Sequence, residues 1–287
     1  SVQVILNVRD GGEKRDGVLY GGTFKPQQQM TIPADHSIHD GLFAFEGVGW
    51  ESELVGYRLY LDERFAVDVF GKKTPARVLH SIGLGADDYH EPAPWGMDVF
   101  KVGDTVGLGG LGLLREGRAG QLEPGRISMR VADNGPLQGT VRIVAEEFAG
   151  EDSKLTVHYS IRQASPVTRV RGGTSRSIDN LVTGLPKHPG VRVLYGSRPR
   201  NGWTYVATWG PQSLTGDGLG LVLFYRAADM KSGPQESGDM IYVQFADAAT
   251  IDYGFAAAWI QDRQGVSDIT TFEAWITTRL NEIAVRL

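Results

Sequence analysis

The stretch Leu155 to Arg162 alternates strictly: Leu155, Val157, Tyr159 and Ile161 are apolar, while Thr156, His158, Ser160 and Arg162 are polar. A period of two puts the two sets on opposite faces of a strand, one turned to a core and one away from it. Similar short runs predict strands over 1–8, 57–61, 99–102, 127–131, 141–148, 192–194, 205–209, 219–225 and 241–245, and 255–259 reads as a buried late element. Turn chemistry separates them, as in Asp10-Gly11-Gly12, Asp133-Asn134-Gly135-Pro136 and Gly216-Asp217-Gly218. One helix is predicted near the end of the chain. Thr270 as N-cap with Glu273 three residues on is a capping-box pattern, and Phe272, Trp275, Ile276, Leu280 and Ile283 recur at helical spacing. The pattern predicts an all-β fold, a two-sheet antiparallel β-sandwich with this helix sealing an edge.

Composition adds limits. With 287 residues, 41% of them apolar and 22% charged, the chain can bury a sizeable core, and large sandwiches reach this length as one domain, so residues 1–287 are expected to form a single domain. The net charge is -5 and the Lys and Arg residues are scattered, which argues against nucleic acid or an anionic membrane as partner. With no cysteine there is no disulfide, thiolate metal site or cysteine nucleophile. No apolar run approaches the roughly 18 residues of a membrane-spanning helix. The first residue is Ser1 rather than Met; a removed signal peptide would account for it, giving a periplasmic or secreted expectation.

The chemistry-bearing residues concentrate between His36 and Lys101. If 57–62 is a strand, Arg58, Tyr60 and Asp62 share one face. An Arg and a Tyr so placed suit β-elimination, one neutralising a uronate carboxylate and the other moving a proton. The plain alternative is a solvated face with an Arg58–Asp62 ion pair. A second cluster runs from Asp87 to Asp98 and is stiffened by Pro92 and Pro94. There His90 is a candidate general base and Trp95 a candidate sugar-stacking ring, against a turn-capping His and a core-covering Trp. His36, His39 and Asp40 offer a partial metal site at a spacing that matches no metal motif, so a solvated polar loop is the competing account. His158 shares a strand face with Arg162 and is a secondary catalytic candidate. Trp209, Trp259 and Lys101 are candidate binding residues. No cofactor is expected, because Gly-x-Ser-x-Gly, Walker-type and His-Glu-x-x-His motifs are missing and the Gly107–Gly112 run lacks a following helix.

Gly49-Trp50-Glu51-Ser52-Glu53, Tyr57 to Asp62, Asp68 to Lys73, Asp88-Tyr89-His90 and Trp95 to Asp98 together resemble the bacterial domain-of-unknown-function family four-eight-six-one, and Ala207 to Gly210 and Ala257 to Trp259 extend the resemblance over most of the chain. The resemblance implies a galactose-mutarotase-like supersandwich, a fold that also hosts polysaccharide lyases, in a setting of plant or algal polysaccharide breakdown. Reaction type stays open under such a likeness.

Three readings follow. The first is a lyase on an acidic oligo- or polysaccharide. In it Arg58 binds the carboxylate, His90 is the base and Tyr60 protonates the leaving oxygen. Trp50 and Trp95 stack on the sugar, and Glu51 and Asp98 orient the basic groups. The second is a sugar mutarotase, epimerase or isomerase, with His90 or His158 paired to Asp98 or Glu51. The third is a carbohydrate-binding module that uses the same aromatics without turnover.

Overall fold

The computed structural model describes residues 1–85 and 88–285. A five-stranded sheet runs in the order β1 (Gln3–Ile5), β7 (Gly47–Glu51), β8 (Val55–Tyr60), β9 (Val67–Lys72), β10 (Gly96–Asp98). Two short sheets pair β2 (Asn7–Asp10) with β5 (Thr23–Pro26) and β3 (Glu13–Arg15) with β4 (Val18–Tyr20). A second five-stranded sheet has the order β12 (Arg118–Gln121), β11 (Leu111–Arg115), β17 (Leu181–Pro186), β22 (Met240–Gln244), β21 (Gln235–Ser237). The largest sheet has nine strands: β18 (Arg192–Tyr195), β19 (Trp203–Gly210), β20 (Leu219–Arg226), β23 (Ile251–Trp259), β16 (Thr168–Thr174), β15 (Lys154–Arg162), β14 (Gln138–Glu146), β13 (Arg126–Asn134) and β6 (Gln29–Thr31).

On β15 the alternation works as expected: Leu155, Val157, Tyr159 and Ile161 are buried, and Thr156, His158 and Ser160 are half-buried on the other face. The buried face of the nine-stranded sheet packs on both five-stranded sheets. Trp50 on β7 donates from Nε1 to Thr168 Oγ1 at 2.8 Å, with its ring 5.1 Å from that of Tyr159. Tyr253 on β23 donates from its hydroxyl to Gly109 O at 2.6 Å. Every residue of β8 and β9 is buried, because their second face is roofed by Phe45, Val78, Leu79 and Ile82 with Tyr89 and Trp95 packed beside them. This roof creates the polar site described below.

The helix α1 (Ile269–Ala284) lies on the outer face of β19 and β20 through Phe272, Trp275, Ile276, Leu280 and Ile283. Gly220 permits this close seating, since a Cβ there would fall 2.2 Å from the Phe272 ring. The capping box is Asp268 with Thr271, two residues before the expected Thr270 and Glu273: the Asp268 carboxylate accepts from Thr271 N at 2.8 Å, and Thr271 Oγ1 accepts from Asp268 N at 3.0 Å. Aspartate is among the strongest N-caps, so the helix starts there.

The expected all-β antiparallel sandwich with one C-terminal helix is the observed architecture. The layer facing the nine-stranded sheet is divided between two sheets. Residues 99–102 form no strand; Asp98 Oδ1 accepts from Phe100 N at 3.2 Å and turns the chain out of β10. Strands β7, β9, β11, β16 and β17 lie outside the alternating runs, because most of them are buried on both faces and carry glycines at 47, 49, 71, 112, 172, 173 and 184.

Candidate functional site

The centre of the site is Arg58, on the face of β8 turned away from the nine-stranded sheet and 1% exposed. Register sets Asp68 of β9 directly opposite it. Arg58 Nε and Nη2 donate to Asp68 Oδ2 at 3.1 and 2.7 Å, and Nη2 also donates to Asp98 Oδ2 at 2.6 Å and to the Tyr60 hydroxyl at 3.0 Å. Nη1 donates to the Tyr89 hydroxyl at 3.2 Å and to Phe45 O at 3.3 Å. The guanidinium has five N–H groups, and all are taken. Tyr60 is equally occupied: its hydroxyl donates to Asp68 Oδ2 at 2.5 Å while accepting from Arg58. Burial above all pushes the Tyr60 hydroxyl beyond its usual range.

One cation is thus shared by two buried carboxylates. Burial, and next the neighbouring Asp68, hold the Asp98 carboxyl well above the usual carboxylate range against the opposing pull of Arg58. Above Asp98 stands His90, half-exposed, with Nε2 3.5 Å from Asp98 Oδ2 and Nδ1 3.1 Å from Asp88 Oδ1. Asp88 also accepts from His90 N at 3.0 Å, and these two bonds lower its carboxyl pKa. An ionised Asp88 favours a proton on Nδ1 and turns Nε2 toward Asp98.

These groups open into a cavity of about 460 Å³, whose wall also includes His39, Glu46, Arg64, Lys101 and Asp104. His39 Nε2 lies 2.8 Å from Glu46 Oε1, and both residues adopt left-handed backbone, φ 60° and 64°. Such conformations cost energy in non-glycine residues and gather at functional sites. Arg64 pairs with Glu46 at 3.1 Å and lays its guanidinium 3.7 Å from the centroid of the Tyr60 ring. A second cavity of about 570 Å³, containing His188 and Arg118, shares the wall 101–104.

Of the residues singled out in the sequence, Arg58, Tyr60, His90, Asp98, Lys101 and His39 converge here. The others do not. Trp50 is wholly buried between the sheets. Glu51 is wholly buried too, bound by Lys72 Nζ at 2.5 Å and by the amides of Val78 and Leu79. Neither lines the cavity. Trp95 is half-buried in the roof, its ring 6.3 Å from Phe70. Trp209 packs under α1, 5.2 Å from Phe272, and Trp259 is 1% exposed with Nε1 on Asp217 Oδ1 at 2.7 Å. His158 lies on the far face of the nine-stranded sheet, opposite Arg142 and Arg171. Asp62 pairs with Arg64 at 2.5 Å, and the Arg58–Asp62 pair of the alternative reading is not formed.

The 36–40 loop is solvated only in part: Ser37 and His39 are exposed, and His36 and Asp40 turn inward. His36 Nδ1 lies 2.8 Å from Asp40 Oδ2, and both side chains are buried, while His39 turns to the cavity. Among the described residues, no three His, Asp or Glu side chains gather as metal ligands. Asp87 lies outside the described residues. Glu46, Asp68 and Arg64 were missed in the sequence, although Asp68 begins one of the segments that carry the family resemblance.

A family model described as a domain of unknown function (DUF4861) matches residues 2–287. No curated protein matches the chain. Among solved structures, an inferred kojibiose phosphorylase from the human microbiome aligns at 12% identity and a TM-score of 0.35, over 81% of this chain and 32% of its own; the chain spans about a third of that protein. An inferred aldose 1-epimerase from Klebsiella pneumoniae subsp. pneumoniae aligns at 9% identity and a TM-score of 0.36, over 99% of this chain and 96% of its own. Neither likeness assigns a substrate or a reaction to this chain.

Proposed function

We infer a function from one premise: the chain belongs to the family described as a domain of unknown function (DUF4861). It is a carbohydrate-active protein that transfers protons at a sugar bound in the cavity beside β10, as a mutarotase, epimerase or isomerase does. The observation that carries this reading is the 3.5 Å approach of His90 Nε2 to Asp98 Oδ2, one group half-exposed and one buried. An imidazole and a carboxyl held toward its protonated form make a base and an acid within reach of one substrate. At a sugar hemiacetal, His90 takes the proton of the anomeric hydroxyl, the bond from the anomeric carbon to the ring oxygen breaks, and Asp98 gives its proton to that ring oxygen. Reclosure on either face of the carbonyl returns both protons. Glu46, His39, Arg64, Lys101 and Asp104 supply donors and acceptors for the remaining hydroxyls.

Elimination from a uronate is the second reading. Arg58 does not serve it, since its N–H groups are spent on Asp68, Asp98, Tyr60, Tyr89 and Phe45. Lys101, exposed on the cavity wall, is the cation that would meet the carboxylate. The two readings separate by product. Incubation with a panel of reducing sugars and uronate oligosaccharides, followed by proton NMR and ultraviolet absorbance, is expected to show accelerated anomeric exchange or isomerisation and no unsaturated product. An ultraviolet-absorbing product would replace the first reading by the second.

A further inference from the structure

The outer face of the nine-stranded sheet carries α1 over β19 and β20, and the C-terminal end of α1, at Glu282 and Ile283, lines a cavity of about 210 Å³ with Ser160 and Arg162 of β15 and Arg169 and Arg171 of β16. On the same face, register places Arg130 of β13 opposite Arg142 of β14, Arg142 opposite His158 of β15, and His158 opposite Arg171 of β16. Four neighbouring strands therefore present Arg, Arg, His and Arg in one line, about 14 Å long at the usual spacing between strands. Like charges directly opposite one another weaken a sheet, so strand pairing gives no reason for the row.

The row is short of anions. Among the described residues, no carboxylate lies within ion-pairing distance of Arg130 or Arg142. Beyond Arg171 the only acid in line is Asp252 of β23, and it is shared by Arg169 at 2.8 Å, Arg226 at 3.1 Å and Arg171 at 3.5 Å. Shallow hollows flank the His158 and Arg171 end of the row. A cavity of about 680 Å³ is lined by Arg169, Arg171, Arg226 and Asp252, and one of about 400 Å³ by Lys154, Thr156 and His158. All this stands on a chain whose net charge is -5.

We propose that this row binds a carboxylated polysaccharide laid across the strands, a second saccharide site on the far face from the His90 cavity; in naming a saccharide it rests on the carbohydrate reading above. Guanidinium forks match carboxylates, and a single file of cations at regular spacing matches one carboxylate per repeating unit. Nucleic acid fits less well. A duplex calls for a broad basic surface, and a single strand calls for stacking rings, yet no Phe, Tyr or Trp stands in the row from Gln29 through Arg130, Arg142, His158 and Arg171 to Asp252.

The test is native gel electrophoresis through polygalacturonate, through the same polymer fully methyl-esterified, and through single-stranded DNA. Wild type is compared with Arg130→Ser/Arg142→Ser/Arg171→Ser, and with single Arg142→Ser should the triple variant not fold. Retardation by polygalacturonate that vanishes on esterification, weakens as salt rises, and falls at least tenfold in the triple variant or measurably in the single one supports the site. Undiminished retardation of the variants, no retardation of wild type, or equal retardation by DNA overturns it. Sugar turnover is read in parallel. A chain that is retarded through the row but converts no sugar retains this site and loses the reading of the His90 cavity. A chain that converts sugar but ignores the polymer loses only this site.

Discussion

Arg58 Nη2 lies 2.6 Å from Asp98 Oδ2 while holding Asp68 Oδ2 at 2.7 Å, so one guanidinium neutralises two buried carboxylates only in part. Burial first, and the charge of Asp68 next, raise the Asp98 carboxyl, which in the proposed reading makes it the proton donor.

Removing Arg58 leaves that charge with no compensation. Arg58→Met is expected to cost about 3–5 kcal/mol, the usual penalty for breaking a buried ion pair from one side, measured by urea denaturation. Arg58→Lys is expected to rescue little, because an ammonium cannot reach Asp68, Asp98 and Tyr89 together. A folded Arg58→Met protein that had lost only substrate affinity would restore Arg58 to the role of carboxylate binder.

Stability is expected to fall as pH rises through the acid range. The native state keeps a proton on Asp98 at pH values where the unfolded chain, with an aspartate pKa near 4, has released it, and the state that binds more protons loses ground as pH increases. The fall begins near pH 4 and ends above the raised Asp98 pKa. Asp262, pushed up to about 6 chiefly by burial, contributes with the same sign between about pH 4 and 6. Comparison of melting temperature against pH for wild type and Asp98→Asn isolates the Asp98 share, and the variant is expected to show the flatter curve.

The pair of Lys72 and Glu51 gives a control for the site. Both side chains are wholly buried and meet at 2.5 Å, with Glu51 also accepting the amides of Val78 and Leu79. Burial pulls the Lys72 ammonium pKa down against the support of Glu51. Glu51→Ala is expected to cost about 3 kcal/mol or more in denaturation. Under conditions where the protein stays folded, it leaves sugar turnover in place.

The sequence made much of this legible where one face of a strand meets water. Leu155 to Arg162 alternates, and its structure follows. Arg58 and Tyr60 were rightly placed on one face of a strand, but β8 is buried on both faces, so alternation could not reveal that the polar face lies under a roof. The true partner of Arg58 is Asp68, ten positions on, and only the β8–β9 register shows it. The same blindness to register made Trp50, Glu51 and Trp259 look like site residues when they fill the core. The approach of His90 to Asp98 was legible because a short, Pro-stiffened loop carries one into the strand that carries the other.

The direct test of the central claim is the rate of anomeric exchange or isomerisation, by NMR on the sugar found in the panel, for wild type, His90→Ala and Asp98→Asn. Because the His90 side chain is 52% exposed, His90→Ala is expected to keep the wild-type melting temperature and to lose about a hundredfold or more in kcat, and Asp98→Asn to lose a comparable factor. A folded His90→Ala protein turning over at near the wild-type rate would contradict the assignment of His90 and Asp98 as the proton-transferring pair.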